Sequence, residues 1–281
     1  MTQLRSQWFG IFFIFLAQLL FCTNFSIVAY LSDYFTFIQL ILFRSILAPI
    51  LFLPLLFTKK INLNFKRPWL LLTRATCGLI AMSCLYIGLK EGEVGQVNLV
   101  FNFSIIWTFI IAFFLFKDRP HRFSLTSLAI AFLGLGFVFF PFSTTLNKGT
   151  LFAFIGSIFA AGVILSLKSL RKTHDSFSII FFFQSFASIV YFIPAKPSLA
   201  LIDNPFILLI ILTGIISFSA QWFMTKGYKF TTASVASTIG LAQIPLMYLS
   251  GYLFFDQHIT LINMMGVFIV LFCLTVISIF R

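Results

Sequence analysis

Residues 86–118 read YIGLKEGEVGQVNLVFNFSIIWTFIIAFFLFKD, and residues 226–257 read KGYKFTTASVASTIGLAQIPLMYLSGYLFFDQ. Slid by 139 positions, the second stretch falls on the first: Gly88 meets Gly227, Lys90 meets Lys229 and Phe116 meets Phe255. The register holds further out, where Gly10 meets Gly149 and Phe43 meets Phe182. The identities are few, but segment and loop lengths agree as well, which is the mark of an internal repeat. The chain therefore reads as two copies of one unit, residues 1–142 and 143–281.

Composition says what the unit is made of. Of 281 residues, 60% are hydrophobic, 9% are charged and 42 are phenylalanine. A soluble domain carries about 25% charged residues. No water-soluble fold of this length could cover so much apolar surface, so the chain is an integral membrane protein. A helix needs about 20 apolar residues to cross the hydrocarbon core. Ten segments meet that need: roughly 8–29, 37–57, 69–89, 94–116, 124–142, 149–168, 176–195, 205–229, 233–255 and 260–280. Pro68 and Pro205 stand at helix starts, where a missing N–H costs nothing. The first run is too long for a signal-peptide core, and no A-x-A site follows it. The expectation is an all-α integral membrane fold of ten transmembrane helices, five per repeat.

Charge fixes the orientation. The net charge is +12, yet the basic residues lie in short loops between apolar runs, where they report membrane topology and not nucleic-acid binding. Arg5, Lys59, Lys60, Lys66, Arg67, Lys117, Arg119, Arg122, Lys168, Arg171, Lys172, Lys226, Lys229 and Arg281 share one side. Lys90, Lys148 and Lys196 share the other. Both termini are thus expected in the cytoplasm, and a five-span unit places its second copy upside down. Inverted repeats of this kind belong to secondary transporters, with the substrate near the midplane between halves.

The acids Asp33, Glu91, Glu93, Asp118, Asp175, Asp203 and Asp256, and the histidines His121, His174 and His258, all fall in loops or at helix ends. A catalytic or metal centre within the membrane would need such groups at ligand spacing, so neither an enzyme nor a cofactor is expected. Cys22, Cys77, Cys84 and Cys273 lie in apolar runs without metal spacing and read as packing residues. Small residues at Gly149, Ala153, Ser157 and Ala161, and at Ser127, Ala131 and Gly134, form faces that let helices approach closely.

The spans do contain uncharged polar residues. Asn98 and Asn102 share a face of helix four. Thr213, Ser217 and Gln221 form a stripe on helix eight, and their counterparts in helix three are Arg74, Gly78 and Met82. Helix nine holds Ser237, Thr238, Gln243 and Tyr248, interrupted by Pro245; helix one holds Gln18 and Asn24. Interhelical hydrogen bonding alone would account for any one of them. Recurrence on equivalent helices of both halves favours a shared substrate path. Arg44, in ILFRSIL at 41–47, sits roughly 10 Å below the outer edge at 1.5 Å per residue. It either reaches out to Asp33, Glu91 or Glu93, or faces the cavity and holds a carboxylate or phosphate with its planar fork. Arg74, roughly 8 Å above the inner edge by the same rise, either snorkels to cytoplasmic lipid phosphates or faces the substrate.

FRSILA at 43–48 and the two long stretches quoted above resemble the EamA-like permeases of the drug/metabolite transporter superfamily, over nearly the whole chain. The glutamate usual after the family's fourth helix is Asp118 here and Gln257 in the second copy, and its proline survives only as Pro245, opposite Ile106. The resemblance implies a bacterial inner-membrane carrier that moves a small polar metabolite by rocking its two halves. Family substrates include amino acids, amines, sugars, nucleotide derivatives and S-adenosylmethionine; arginines in helices two and three look most like the last group. Expected partners are a small-molecule substrate and the lipid bilayer, with no nucleic acid. The residues expected to touch substrate are Arg44, Arg74, Asn98, Asn102, Ser217, Gln221, Gln243 and Tyr248. A membrane scaffold or a lipid-modifying enzyme is the competing class.

Overall fold

The computed structural model describes residues 2–57, 63, 65–116, 122–138, 147–170, 173–195, 205–230 and 239–279. Among these residues the chain is helix and turn, with no strand. The helices are α1 (Thr2–Leu31), α2 (Phe37–Phe57), α3 (Pro68–Glu91), α4 (Val94–Phe101), α5 (Ser104–Phe116), α6 (Arg122–Val138), α7 (Lys148–Leu170), α8 (Ser176–Ala195), α9 (Ile207–Phe230), α10 (Gln243–Phe254) and α11 (Leu261–Ile279). Ser237, Thr238, Lys59, Lys60, Lys117, Asp118, Arg119, His121, Arg171, Lys172, Lys196, Asp203 and Arg281 lie outside the described residues.

Long apolar runs form helices because every backbone polar group must be satisfied internally in lipid. The stretches Trp8–Leu31, Pro68–Glu91, Lys148–Leu167, Ser176–Ala195 and Ile207–Gly227 are long and apolar enough to span a bilayer; Phe37–Leu47 and Leu261–Val276 are shorter apolar helices. The outer surface carries large apolar side chains, with Ile193 83%, Leu261 81% and Phe272 70% exposed. Such a surface is unfavourable in water and favourable against acyl chains.

One expected helix is two. The segment 94–116 stops at Phe101 and restarts at Ser104. Across the break, Phe103 N–H donates to Val100 O, Ile105 N–H to Asn102 O and Trp107 N–H to Phe103 O. The second repeat makes the same three bonds 139 positions on: Ala242 to Ile239, Ile244 to Leu241 and Leu246 to Ala242. In the second copy Pro245 has no N–H to continue a helical ladder. In the first, Asn98 O accepts from both the Asn102 N–H at 3.0 Å and Asn102 Nδ2 at 2.9 Å, so the Asn102 side chain caps the end of α4. The two repeats reach one turn by different chemistry.

Packing also repeats. α3 lies along α7, and α1 along α9; since α1 is the counterpart of α7 and α3 of α9, this is one contact seen twice. A Cβ on Gly88 would stand 3.1 Å from Gly149 O, and one on Gly227 3.1 Å from Gly10 O. The glycines that align in the sequence are those at which backbones cross. α2 packs on α8 and α6 on α11, each against its own counterpart, and α4 packs on α10, the counterpart of α5. This exchange is what a pseudo-two-fold axis between the halves produces.

Candidate functional site

Most hydroxyls in the bundle are consumed locally. Thr23, Ser26, Thr73, Ser83, Ser188 and Thr225 each donate to the carbonyl four residues back. Two of these hydroxyls also join helices, with Ser26 Oγ 2.6 Å from Ser250 Oγ and Ser83 Oγ 2.6 Å from Tyr191 Oη, and Trp107 Nε1 donates to Ser157 Oγ at 3.0 Å. Polar atoms that do neither therefore stand out.

Arg44 on α2 is 2% exposed. Its Nη1 donates to Tyr86 Oη at 2.9 Å and to Met82 Sδ at 3.0 Å, while Nε and Nη2 are buried with no partner. Arg74 on α3 is 9% exposed. Its guanidinium carbon stands 4.6 Å from the centre of the Phe183 ring on α8, and Nε and Nη1 are buried without a partner. Nη1 would meet a Cβ on Gly78 at 2.6 Å. The side chain thus runs along α3 toward the bundle interior, away from the helix's start at Pro68, and does not snorkel to that end. Nor does Arg44 pair with Asp33, Glu91 or Glu93: neither guanidinium has a carboxylate partner among the described residues. Residues 74, 78, 82 and 86 are four apart and share one face of α3, so both guanidiniums lie along that face. Their charges repel.

The equivalent face of α9 carries Thr213, Ser217 and Gln221. Asn24 Nδ2 on α1 donates to Thr213 O at 2.8 Å. Ser217 Oγ and Gln221 Oε1 are buried without partners. At the two helix breaks, Asn98 Oδ1 accepts from Asn102 Nδ2 at 3.1 Å, leaving Asn98 Nδ2 unpartnered; Gln243 Nε2 is unpartnered too. Asn102 is half-buried and satisfied by its bonds to Asn98.

The eight residues do not form one group. Arg44, Arg74, Ser217 and Gln221 belong to α2, α3 and α9, which meet α8 at the centre of the bundle. Asn98, Asn102 and Gln243 mark the breaks. Tyr248 stands apart: its ring covers Gly95, whose Cβ would meet it at 2.8 Å. It lines a small surface pocket with Glu93, Gln96, Gln257, His258 and Asn263. Half-buried Glu93 has its carboxyl raised above the ordinary range by that burial.

One central residue escapes a reading of the sequence. Gln184 on α8 is 1% exposed, and both amide atoms lack partners. It stands in IIFFFQSFASIV, within a run whose apolarity hides it. A lone amide among phenylalanines on a helix that must pack all round was the available signal.

The comparisons with known proteins agree with this architecture. The pseudopaline exporter CntI of Pseudomonas aeruginosa is 21% identical over 248 residues, 84% of each chain. An uncharacterised transporter of Helicobacter pylori is 25% identical over 284 residues, 94% of this chain and 92% of its own. A solved crystal structure superimposes with a TM-score of 0.63 at 11% identity over 95% of both chains, which shows the fold alone. The EamA-like transporter family model matches twice, over residues 8–140 and 147–279, in the same register as the internal repeat. With its two repeats, its apolar spans and its paired broken helices, this multi-pass membrane transporter belongs to the EamA-like transporter family.

Proposed function

We propose that the protein is a secondary transporter for a small polar organic metabolite, working by alternating access across a bacterial inner membrane with both termini in the cytoplasm. Amino acids, amines, carboxylates and nucleoside derivatives such as S-adenosylmethionine are the classes to consider. The observation that carries this reading is the set of buried, unpartnered polar atoms on α2, α3 and α9, drawn from both repeats. Leaving such an atom unsatisfied costs about 1–3 kcal/mol, and more when it is charged, so a scaffold would have no use for them. A substrate that exchanges its hydration for these groups supports their retention. The helix breaks support the same reading, since discontinuous helices flank the sites of inverted-repeat carriers.

Neither an enzymatic role nor a scaffold role is proposed. The pseudopaline exporter makes outward movement the direction to test first. The purified chain, reconstituted in proteoliposomes, is to be assayed for counterflow of labelled amino acids, amines, carboxylates and nucleosides. Saturable movement of one class, with matching thermal stabilisation, is expected. A folded, monodisperse protein that moves none and is stabilised by none returns the scaffold reading.

A further inference from the structure

Two permanent positive charges lie buried in the middle of this bundle without a carboxylate among the described residues. Burying an unpaired charge is expensive in low dielectric, and two of like sign aggravate one another. The described acids Asp33, Glu91, Glu93, Asp175 and Asp256 stand in loops and at helix ends. Lipid phosphates at the start of α3 are on the side from which Arg74 turns away. Water could solvate the N–H groups but would leave the charge uncompensated. No described acid supplies the countercharge, and Asp118 and Asp203 lie outside the described residues; a bound anion would supply it.

Geometry narrows its form. The Arg74 guanidinium is level with Gly78, and that of Arg44 with Met82 and Tyr86. Four to eight residues of α3 separate those levels, about 6–12 Å at 1.5 Å per residue. That spacing fits two acid groups on one short molecule better than a single small anion. Each guanidinium keeps two free nitrogens: Nε and Nη2 on Arg44, Nε and Nη1 on Arg74. Nε and Nη2 of Arg44 share one edge of the guanidinium and suit a carboxylate or phosphate held by paired bonds, whereas Nε and Nη1 of Arg74 point from different edges and each offers a single bond. Gln184, which follows Phe183 in α8, adds a free amide nitrogen and a free amide oxygen.

We propose that the substrate is a small dianion, with one acid group on the fork of Arg44, the other on the guanidinium of Arg74, and a neutral polar group read by the amide of Gln184. The proposal rests on the carrier reading above and narrows it from polar metabolites in general to molecules with two acid groups.

The test uses the purified full-length protein and a set of probes matched in length and differing in charge. Succinate and glutarate supply two carboxylates, and 3-phosphoglycerate a carboxylate with a phosphate. Succinamide and glutaramide are the neutral counterparts, and putrescine the dication. Thermal stabilisation that saturates with at least one dianion, and is absent with the diamides and the diamine, is expected. Stabilisation by succinate or glutarate but not 3-phosphoglycerate would assign both guanidiniums to carboxylates; the reverse would assign one to phosphate. Arg44→Gln and Arg74→Gln should each raise the half-saturating concentration at least about tenfold, equivalent to ~1.4 kcal/mol. Arg44→Lys and Arg74→Lys, which keep the buried charge, serve where the glutamines lower the folded yield and should weaken the response in the same sense. Gln184→Leu should weaken it while leaving the preference for dianions over diamides intact.

Equal stabilisation by a diamide or by putrescine overturns the proposal, as does failure of every dianion or a dianion response that ignores both arginines. Transport of a neutral or cationic metabolite by the same liposomes would leave the carrier standing and remove the dianion. Transport of nothing would remove the carrier as well.

Discussion

Alanine in place of Gly149 should cost more stability than the same change at Gly227 or at Gly240. A Cβ at 149 would stand 2.6 Å from Gly92 N, 2.7 Å from Gly88 O and 2.8 Å from Gly92 Cα. All three are backbone atoms and cannot rotate aside. Ordinary contact is about 3.5 Å, so α7 must withdraw from α3 by roughly 0.8 Å along their longest shared seam. Overpacking of this kind costs about 1–3 kcal/mol, and the backbone contacts place it at the upper end. Alanine recovers at most about 0.5–1 kcal/mol of helix propensity, leaving a net loss of about 2 kcal/mol. At about 2–4 °C per kcal/mol, the melting temperature should fall by ~4–8 °C. Gly227 differs: its Cβ would meet Ile14 Cγ1 at 2.5 Å and Gly10 O at 3.1 Å. Ile14 can change rotamer, so strain and propensity nearly cancel, and Gly227→Ala should melt within about 2 °C of the parent by the same conversion. Gly240 has only Gln18 Nε2, at 3.9 Å, and Gly240→Ala should be silent. The assay is tryptophan-fluorescence melting of the three purified variants in one detergent. A Gly149→Ala protein as stable as the parent, or more stable than Gly227→Ala, would refute the close crossing of α3 and α7.

Arg44→Lys should transport with an apparent affinity weakened about tenfold or more, because one ammonium cannot keep Tyr86 and also form a bidentate pair; unchanged affinity in a flux assay would remove Arg44 from the site. Glu93 gives a pH signature. Burial holds its carboxyl above the ordinary 4.5, so the native state retains a proton that the unfolded chain has lost. Stability should fall as pH rises through that window, and Glu93→Gln should flatten the slope and melt higher than the parent at neutral pH. Single cysteines in a background lacking the native four should react with an impermeant reagent from outside at positions 90 and 148 and not at 59 and 60; outside labelling at 60 would reverse the topology. Transport driven by a pH gradient alone, and abolished by replacing one loop acid, would contradict a carrier without an intramembrane proton relay.

The repeat was legible because its constraint is steric. Gly10, Gly88, Gly149 and Gly227 recur since they sit where helix backbones approach closely at two crossings, and close approach favours the smallest residue. The break in the second copy was legible at Pro245, but its partner in the first copy was not, because there the turn falls at Asn102 with no proline to mark it. Ile106 opposite Pro245 looks like an uninterrupted helix. Arg44 and Arg74 announced themselves by charge, but the direction each takes depends on Gly78, Phe183, Met82 and Tyr86, whose arrangement only packing determines. Tyr248 was placed with the others by its helix, yet it follows the break and turns toward Gly95. Gln184 was hidden by its phenylalanine neighbours.

The pseudo-two-fold relation has an energetic corollary. If the halves were identical in sequence, swapping their roles would turn the inward-open form into the outward-open form, and the two would be degenerate. Here the tie is broken at named pairs: Arg44 stands opposite Phe183 in the repeat register, and Arg74 opposite Thr213. Both charges belong to one repeat, so whichever opening wets that repeat's inner face hydrates them and lies lower when the carrier is empty. On the dianion proposal, a bound anion would neutralise them and restore near-parity. For a carrier working by the proposed alternating access, the resting bias is thus set by how far its two halves have diverged.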